Sequence, residues 1–132
     1  LGVISLLWYL VGFSLAFGDS IGGVIGNPAT FFAFNGVGVH PHPDFSPTFP
    51  FLLFALFQLK FAIITPALIT GSFAERVKFT SYLIFMCLFA LLIYSPLAHW
   101  TWHPQGFLRQ WGVLDFAGGT VVHMSAGFAA LA

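Results

Sequence analysis

The sequence predicts an all-α, polytopic membrane protein, on the basis of its composition and of its long apolar segments. Its 132 residues are 58% hydrophobic and only 6% charged, whereas soluble domains carry about a quarter charged residues. Four apolar segments approach the ~20 residues that a helix needs to cross the hydrocarbon core of a bilayer. The net charge is zero, so charge gives no reason to expect a nucleic-acid partner.

The first predicted helix spans residues 1–17 and is followed by a long loop, residues 18–50. The helical segment carries no charged side chain. The loop contains six Gly and five Pro, a composition typical of irregular structure. We therefore expect one membrane helix and then a loop outside the bilayer.

The second and third predicted helices span residues 51–73 and 79–98, and a short turn, residues 74–78, joins them. The second has one interior charge, Lys60. The third has no Asp, Glu, Lys or Arg, which makes it the clearest membrane-spanning segment of the chain. Because proline disrupts helical hydrogen bonding, we expect Pro96 to end or kink this helix.

The fourth predicted helix spans residues 116–132 and follows a second loop, residues 99–115. Asp115 precedes the helix directly, where a carboxylate can accept hydrogen bonds from the first free backbone amides. Tryptophan is enriched at membrane interfaces, and the loop contains three: Trp100, Trp102 and Trp111.

Basic residues give the expected orientation. Arg76 and Lys78 lie in the turn between the second and third helices, and cytoplasmic loops are enriched in such residues. The turn is therefore predicted to be cytoplasmic and the two loops external, although Arg109 in the second loop counts weakly against this. We expect no leader segment, because the first residues lack a basic region and a cleavage site, and the end inside an apolar helix predicts that the chain is part of a longer protein.

His123 is the strongest functional candidate that the residues themselves indicate. It lies eight residues after Asp115, about 12 Å into the predicted helix at 1.5 Å per residue. An ionisable side chain at that depth is costly, and usually faces a pore or the interior of a helix bundle. Small residues around it are explained by helix packing alone: Gly118, Gly119, Ser125, Ala126, Gly127, Ala129 and Ala130.

Aromatic side chains form a second group of candidates, each with an ordinary structural explanation. Phe57 and Phe61 are four residues apart on one helix face; they either pack in an apolar environment or line a vestibule where ring faces attract a cation. Trp102 is either an interfacial anchor or a platform for a cation. Asp115 can cap its helix and also draw cations to a pore mouth. Lys60 has no acidic neighbour in sequence, and no role is predicted for it.

Three sequence blocks resemble the ammonium transporter (Amt/Mep/Rhesus) family. The most specific is residues 115–123, DFAGGTVVH, which resembles the signature of the family's fifth transmembrane helix. Residues 57–61, FQLKF, and the later AER at residues 74–76 resemble its third helix and cytoplasmic end. Residues 12–18 resemble the end of the second helix. The chain would then hold the second to fifth helices of an eleven-helix fold built from inverted repeats.

The resemblance implies transport of ammonium or ammonia through a hydrophobic pore, and it gives each candidate a role. Phe61 corresponds to the aromatic gate, with Phe57 above it on the same face. Trp102 corresponds to the tryptophan of an outer ammonium site, and Trp100 is its competitor. His123 corresponds to the first of two paired pore histidines.

Further implications of the resemblance concern the site's frame and the parent protein. Asp115 corresponds to an aspartate that organises the outer site and is not itself part of the transport path. The second pore histidine is expected from a later helix, which this chain lacks. The resemblance also implies a multi-pass protein of the plasma membrane, a homotrimer, a cytoplasmic PII-type regulator, and neither enzymatic activity nor a cofactor.

Two rival functions remain open from the sequence. An ammonium sensor of the same family would keep the pore residues and add a signalling domain. A haem-binding electron carrier is suggested by the four-residue spacing of His99 and His103, followed by His123 on the next helix. Bis-histidine ligation requires facing helices, whereas His99 and His103 are predicted at a helix end and in a loop. Cys87 is the only cysteine, so neither a disulfide nor a thiolate metal site is predicted.

Overall fold

The computed structural model describes all residues, 1–132, and is mainly helical, as the sequence predicts. Five helices follow along the chain: α1 spans Gly2–Phe17, α2 spans Phe51–Phe73, α3 spans residues 79–102, α4 spans Phe107–Gln110 and α5 spans Gly119–Leu131. By length and composition, α2 and the segment Phe79–Gln110 that contains α3 and α4 can cross a membrane. The other two apolar helices, α1 and α5, are shorter.

The long loop after α1 is more regular than predicted. Strands β1 (Ser20–Ile21) and β2 (Ile25–Gly26) form one antiparallel hairpin, and β3 (Pro41–His42) and β4 (Ser46–Pro50) form another. A 3-10 turn, Phe32–Phe34, lies between them. Three residues connect β1 to β2, and two of them, Gly22 and Gly23, have positive φ angles of 64° and 75°, a conformation that glycine adopts without the steric cost of a Cβ.

The third helix continues past the position where the sequence predicts its end. Instead of stopping near residue 98, α3 runs to Trp102 without a break. A wide π turn, Ala90–Tyr94, directly precedes Ser95 and Pro96, and the Ser95 hydroxyl donates to the Ala90 carbonyl oxygen at 2.9 Å. The wide turn accommodates the proline ring, which in a regular helix clashes with the carbonyl four residues earlier. The predicted loop, residues 99–115, therefore begins about one turn too early.

The last helix begins later than predicted. Its first residue is Gly119 rather than residue 116, because Gly118 has a left-handed backbone with φ of +84°. A side chain at Gly118 would collide with that of Val122, so the chain uses glycine to turn into the helix. His123 then lies four residues after the helix start, about 6 Å along it rather than about 12 Å.

Aromatic side chains hold α1, α2 and α3 together. The Trp8 indole of α1 donates a hydrogen bond to the Ala55 carbonyl oxygen of α2 at 3.1 Å. Its ring also lies 6.2 Å from that of Tyr94 in α3. Phe13 is fully buried among rings of α1, α2 and the long loop: Phe17, Phe31, Phe34, Phe51 and Phe54. This core fixes the frame on which the candidate site is built.

Candidate functional site

A cavity of about 320 Å³ lies between α2, the end of α3 and the turn before α5. Seven of its ten lining residues are aromatic, among them Phe57, Phe61 and Trp102. The other three are polar: Asp44, Gln58 and Asp115. Four of the five residues that the sequence analysis singles out for a role thus line one cavity, although they come from three separate parts of the chain. We call this space the aromatic cavity.

Three rings of the aromatic cavity form a continuous series. The rings of Phe57 and Phe61 are 5.2 Å apart and nearly perpendicular, and the rings of Phe61 and Trp102 are 5.8 Å apart at 64°. Edge-to-face pairs of this kind direct ring edges at neighbouring ring faces. Phe61 therefore lies between the other two, and the series links the apolar face of α2 to the end of α3.

The carboxylate of Asp115 is fully engaged with backbone amides. Its Oδ1 accepts from the N–H groups of Gly118 and Gly119, and its Oδ2 accepts from those of Thr120 and Val121. These amides include the first of α5, which have no partner within the helix. Asp115 acts as a cap from four residues before the helix, and not from the adjacent position that the sequence predicts.

Trp102 and Trp100, which the sequence leaves as competitors, point to different places. The Trp102 indole donates to the backbone carbonyl oxygen of Asp115 at 2.8 Å and lines the aromatic cavity. The Trp100 indole donates to the Val24 carbonyl oxygen in the first hairpin, and its ring packs 5.2 Å from that of Phe107. By geometry, Trp102 belongs to the cavity and Trp100 anchors the loop.

His123 lies apart from the aromatic cavity. Its side chain is exposed on the surface of this chain, within the π turn Gly119–Met124. Turns of this type are rare and are frequent at functional sites. The structure thus brings Phe57, Phe61, Trp102 and Asp115 together. His123 lies on α5, outside their cavity.

Lys60 does not line the aromatic cavity. Its side chain is exposed on α2. Leu53, Leu56 and Ile64 are also exposed, and their spacing places them on the same helix face as Lys60. Lys60 therefore lies on the outward apolar face of this chain and puts no positive charge into the cavity.

His99 has a structural role that the sequence analysis misses. It is fully buried inside α3. Its Nδ1 faces the Ala16 carbonyl oxygen at 2.9 Å, and a carbonyl only accepts, so Nδ1 carries the proton. Its Nε2 then accepts from the Ser20 hydroxyl at 2.8 Å, while that hydroxyl oxygen accepts from the Gly23 amide at 3.1 Å. His99 thus ties α3 to the end of α1 and to the first hairpin.

The same geometry speaks against the haem-binding alternative. Both ring nitrogens of His99 are occupied, and its ring stacks at 4.3 Å on that of His103. The Nδ1 of His103 accepts from the Gln105 amide at 3.0 Å. His99 in α3 and His103 directly after it are structural residues, and His99 has no free ring nitrogen for iron.

Gln58 and Asp44 are cavity residues to which the sequence analysis gives no role. Gln58 follows Phe57 in an apolar helix, and its Oε1 is buried without a hydrogen-bond partner in the chain. Asp44 is exposed in the loop between β3 and β4. With Asp44 and Asp115 in the lining and no Lys or Arg, the cavity favours a cation. A polar side chain three positions before Phe61 is the signal that could have pointed to Gln58.

Comparisons with known proteins cover the whole chain. A family model described as the Ammonium Transporter Family matches residues 1–132. The ammonium transporter of Aquifex aeolicus is 48% identical over 130 residues, which are 98% of this chain and 30% of that protein. That of Bacillus subtilis is 46% identical over 133 residues, covering 99% of this chain and 31% of the relative.

Solved structures give the same result. The crystal structure of Saccharomyces cerevisiae Mep2 matches with a TM-score of 0.89 and 36% identity, over 98% of this chain and 29% of that one. A structure named Sensor Amt Protein matches with a TM-score of 0.83 and 34% identity, over 98% and 31%. These likenesses confirm the predicted helical membrane fold. The chain spans about a third of the length of the proteins it matches.

Proposed function

This chain belongs to the ammonium transporter family, whose members are membrane-embedded, and we propose that the protein containing it carries ammonium or ammonia across the membrane. The observation that carries the proposal is the aromatic cavity, where Phe57, Phe61 and Trp102 meet in a space with two carboxylates and no basic group. Such a space attracts a small cation and offers it ring faces in place of water.

The proposed pathway begins at the exposed side of the cavity. Asp44 and Asp115 favour a cation there by charge. The faces of Trp102 and Phe61 then attract it by cation–π interaction, which partly compensates for the water that the ion loses. Phe61 acts as the gate, because its ring lies between those of Phe57 and Trp102.

His123 is proposed to receive the substrate beyond the gate. It lies on α5, which packs against α2, the helix that carries Phe61, and its imidazole can both donate and accept hydrogen bonds. An imidazole can also pass a proton. In the parent protein a second histidine, from a helix outside this chain, would complete the site.

The arrangement of the parent protein is part of the proposal. The turn at residues 74–78 carries Arg76 and Lys78, which favours a cytoplasmic location and supports an outer position for the aromatic cavity. Membership of the family favours a plasma-membrane protein that forms a homotrimer and binds a PII-type regulator. This segment does not separate a transporter from a sensor, because it is similar to ammonium transporters and to the structure named Sensor Amt Protein.

Uptake by the full-length protein tests the proposed function. Cells that lack ammonium transporters of their own would express it, and entry of radiolabelled methylammonium would be compared with that in cells carrying an empty vector. Uptake above this background, reduced by added ammonium, is the expected result. Background uptake by a protein that is present in the membrane would contradict transport and favour sensing.

A further inference from the structure

We propose that Gln58 is the hydrogen-bond acceptor that recognises the ammonium ion in the aromatic cavity. The proposal rests on the proposed transport function and adds a recognition residue to it. Ammonium differs from other small cations in carrying four N–H donors, which ring faces attract by charge but do not satisfy as directed hydrogen bonds. A site for this ion therefore needs an acceptor beside its rings.

The position of Gln58 on α2 brings its side chain close to the rings of the aromatic cavity. It follows Phe57 directly and lies three residues before Phe61 on α2, so its side chain lies on the same helix face as that of Phe61. All three line the aromatic cavity. An ion held against Phe61 and Trp102 is therefore next to the amide of Gln58.

The side-chain oxygen of Gln58 is also available to a ligand. Its Oε1 is buried and has no hydrogen-bond partner in the chain, a rare state for a buried polar atom and one that calls for an explanation. Because no partner holds the oxygen, the amide can rotate about its last side-chain bond and turn the oxygen into the cavity without breaking a hydrogen bond. A donor that arrives there satisfies it.

The two other polar residues of the lining are less suited to this contact. Both carboxylate oxygens of Asp115 already accept backbone amides. Asp44 is exposed to solvent at the edge of the cavity, where it attracts cations but competes with water for their hydrogen bonds. Gln58 is neutral, so it can bind the ion without holding it as strongly as a buried carboxylate would, and conduction requires binding weak enough for release.

The test compares three variants of the full-length protein by the concentration dependence of ammonium and methylammonium uptake. Gln58→Leu removes the acceptor at similar volume, Gln58→Glu keeps an acceptor oxygen, and Gln110→Leu makes the same chemical change at an exposed glutamine outside the cavity. A lost hydrogen bond to a charged group corresponds to about a tenfold rise in half-saturation concentration. We expect this rise in Gln58→Leu with little change in maximal rate. Gln58→Glu should match or fall below the wild-type half-saturation concentration, and Gln110→Leu should equal wild type.

Several results would overturn the proposal. One is a wild-type half-saturation concentration in Gln58→Leu. Another is an equal rise in Gln58→Leu and Gln58→Glu, which would mean that the site needs only the glutamine's shape. If Gln58→Leu fails to reach the membrane, Gln58→Glu alone decides, because a raised half-saturation concentration there contradicts recognition by an acceptor oxygen. Absent uptake in the wild type would instead refute the proposed function.

Discussion

The indole N–H of Trp102 donates to the backbone carbonyl oxygen of Asp115 at 2.8 Å. The bond connects the end of α3 to the turn before α5, two segments that line the aromatic cavity from different sides. Asp115 therefore has two structural tasks: its carbonyl holds the tryptophan, and its carboxylate holds the first amides of α5. The position of the Trp102 ring and the start of the helix depend on one residue.

Replacing Trp102 by Phe tests the first of these tasks. Phe keeps an aromatic face but cannot donate to Asp115, so the ring loses its fixed position. The half-saturation concentration for methylammonium uptake should rise about fivefold, which corresponds to about 1 kcal/mol for one lost hydrogen bond. Trp100→Phe is the matched control, because Trp100 bonds to the Val24 carbonyl outside the cavity. An equal effect of the two variants would contradict the assignment of Trp102 to the cavity.

Replacing the Asp115 side chain tests the second task. In Asp115→Ala four backbone amides lose their acceptor, and the protein should lose at least about 2 kcal/mol of stability. Asp115→Asn, which keeps one acceptor oxygen, should fall between Ala and wild type. The thermal denaturation midpoint of the protein in detergent measures the order. Asp19→Asn, at an exposed carboxylate, is the control, and an unchanged midpoint in Asp115→Ala would refute the capping role.

Two adjacent glycines provide an internal comparison. Gly118 has a positive φ, and an added Cβ would collide with Val122, whereas a Cβ on Gly119 would meet nothing within 4 Å. Gly118→Ala should therefore lower stability by about 1–2 kcal/mol. Gly119→Ala should leave it unchanged or raise it slightly, since alanine favours helix. The same denaturation measurement decides, and equal midpoints would contradict the described turn.

The sequence is sufficient to predict the main helices. Long apolar segments require helices in a bilayer, which is why α2 and α3 are predicted nearly in full. The helix ends are harder, because they depend on local geometry. The π turn before Pro96 lets α3 continue, and the backbone of Gly118 delays α5. Neither feature has a periodic pattern in the sequence.

Residues that act through distant contacts are the ones that sequence reasoning misses. The role of His99 depends on Ala16 and Ser20, which are 83 and 79 positions away, and no local pattern predicts such partners. Gln58 lies inside a sequence block that resembles the family, but only the buried side-chain oxygen, which has no hydrogen-bond partner, indicates a functional role. Trp102 and Trp100 have the same local setting, and the fold alone separates them.

The His99 network predicts a coupled loss of stability. His99→Phe removes two hydrogen bonds and Ser20→Ala removes one of the same two, together with the contact to the Gly23 amide. Each variant should cost about 1–2 kcal/mol, and the double variant should cost less than their sum by about 0.5 kcal/mol or more. A double-mutant cycle on thermal denaturation in detergent measures the coupling. Strict additivity would mean that His99 and Ser20 do not interact.

The most direct test of the central claim, that the aromatic cavity leads substrate past Phe61 to His123, is methylammonium uptake by the full-length protein with either residue replaced by Ala. Phe32→Ala is the control, because Phe32 is an exposed loop phenylalanine outside the cavity. Uptake is expected to fall to the empty-vector background in Phe61→Ala and in His123→Ala and to stay at the wild-type level in Phe32→Ala. Full uptake in both Phe61→Ala and His123→Ala would contradict the claim.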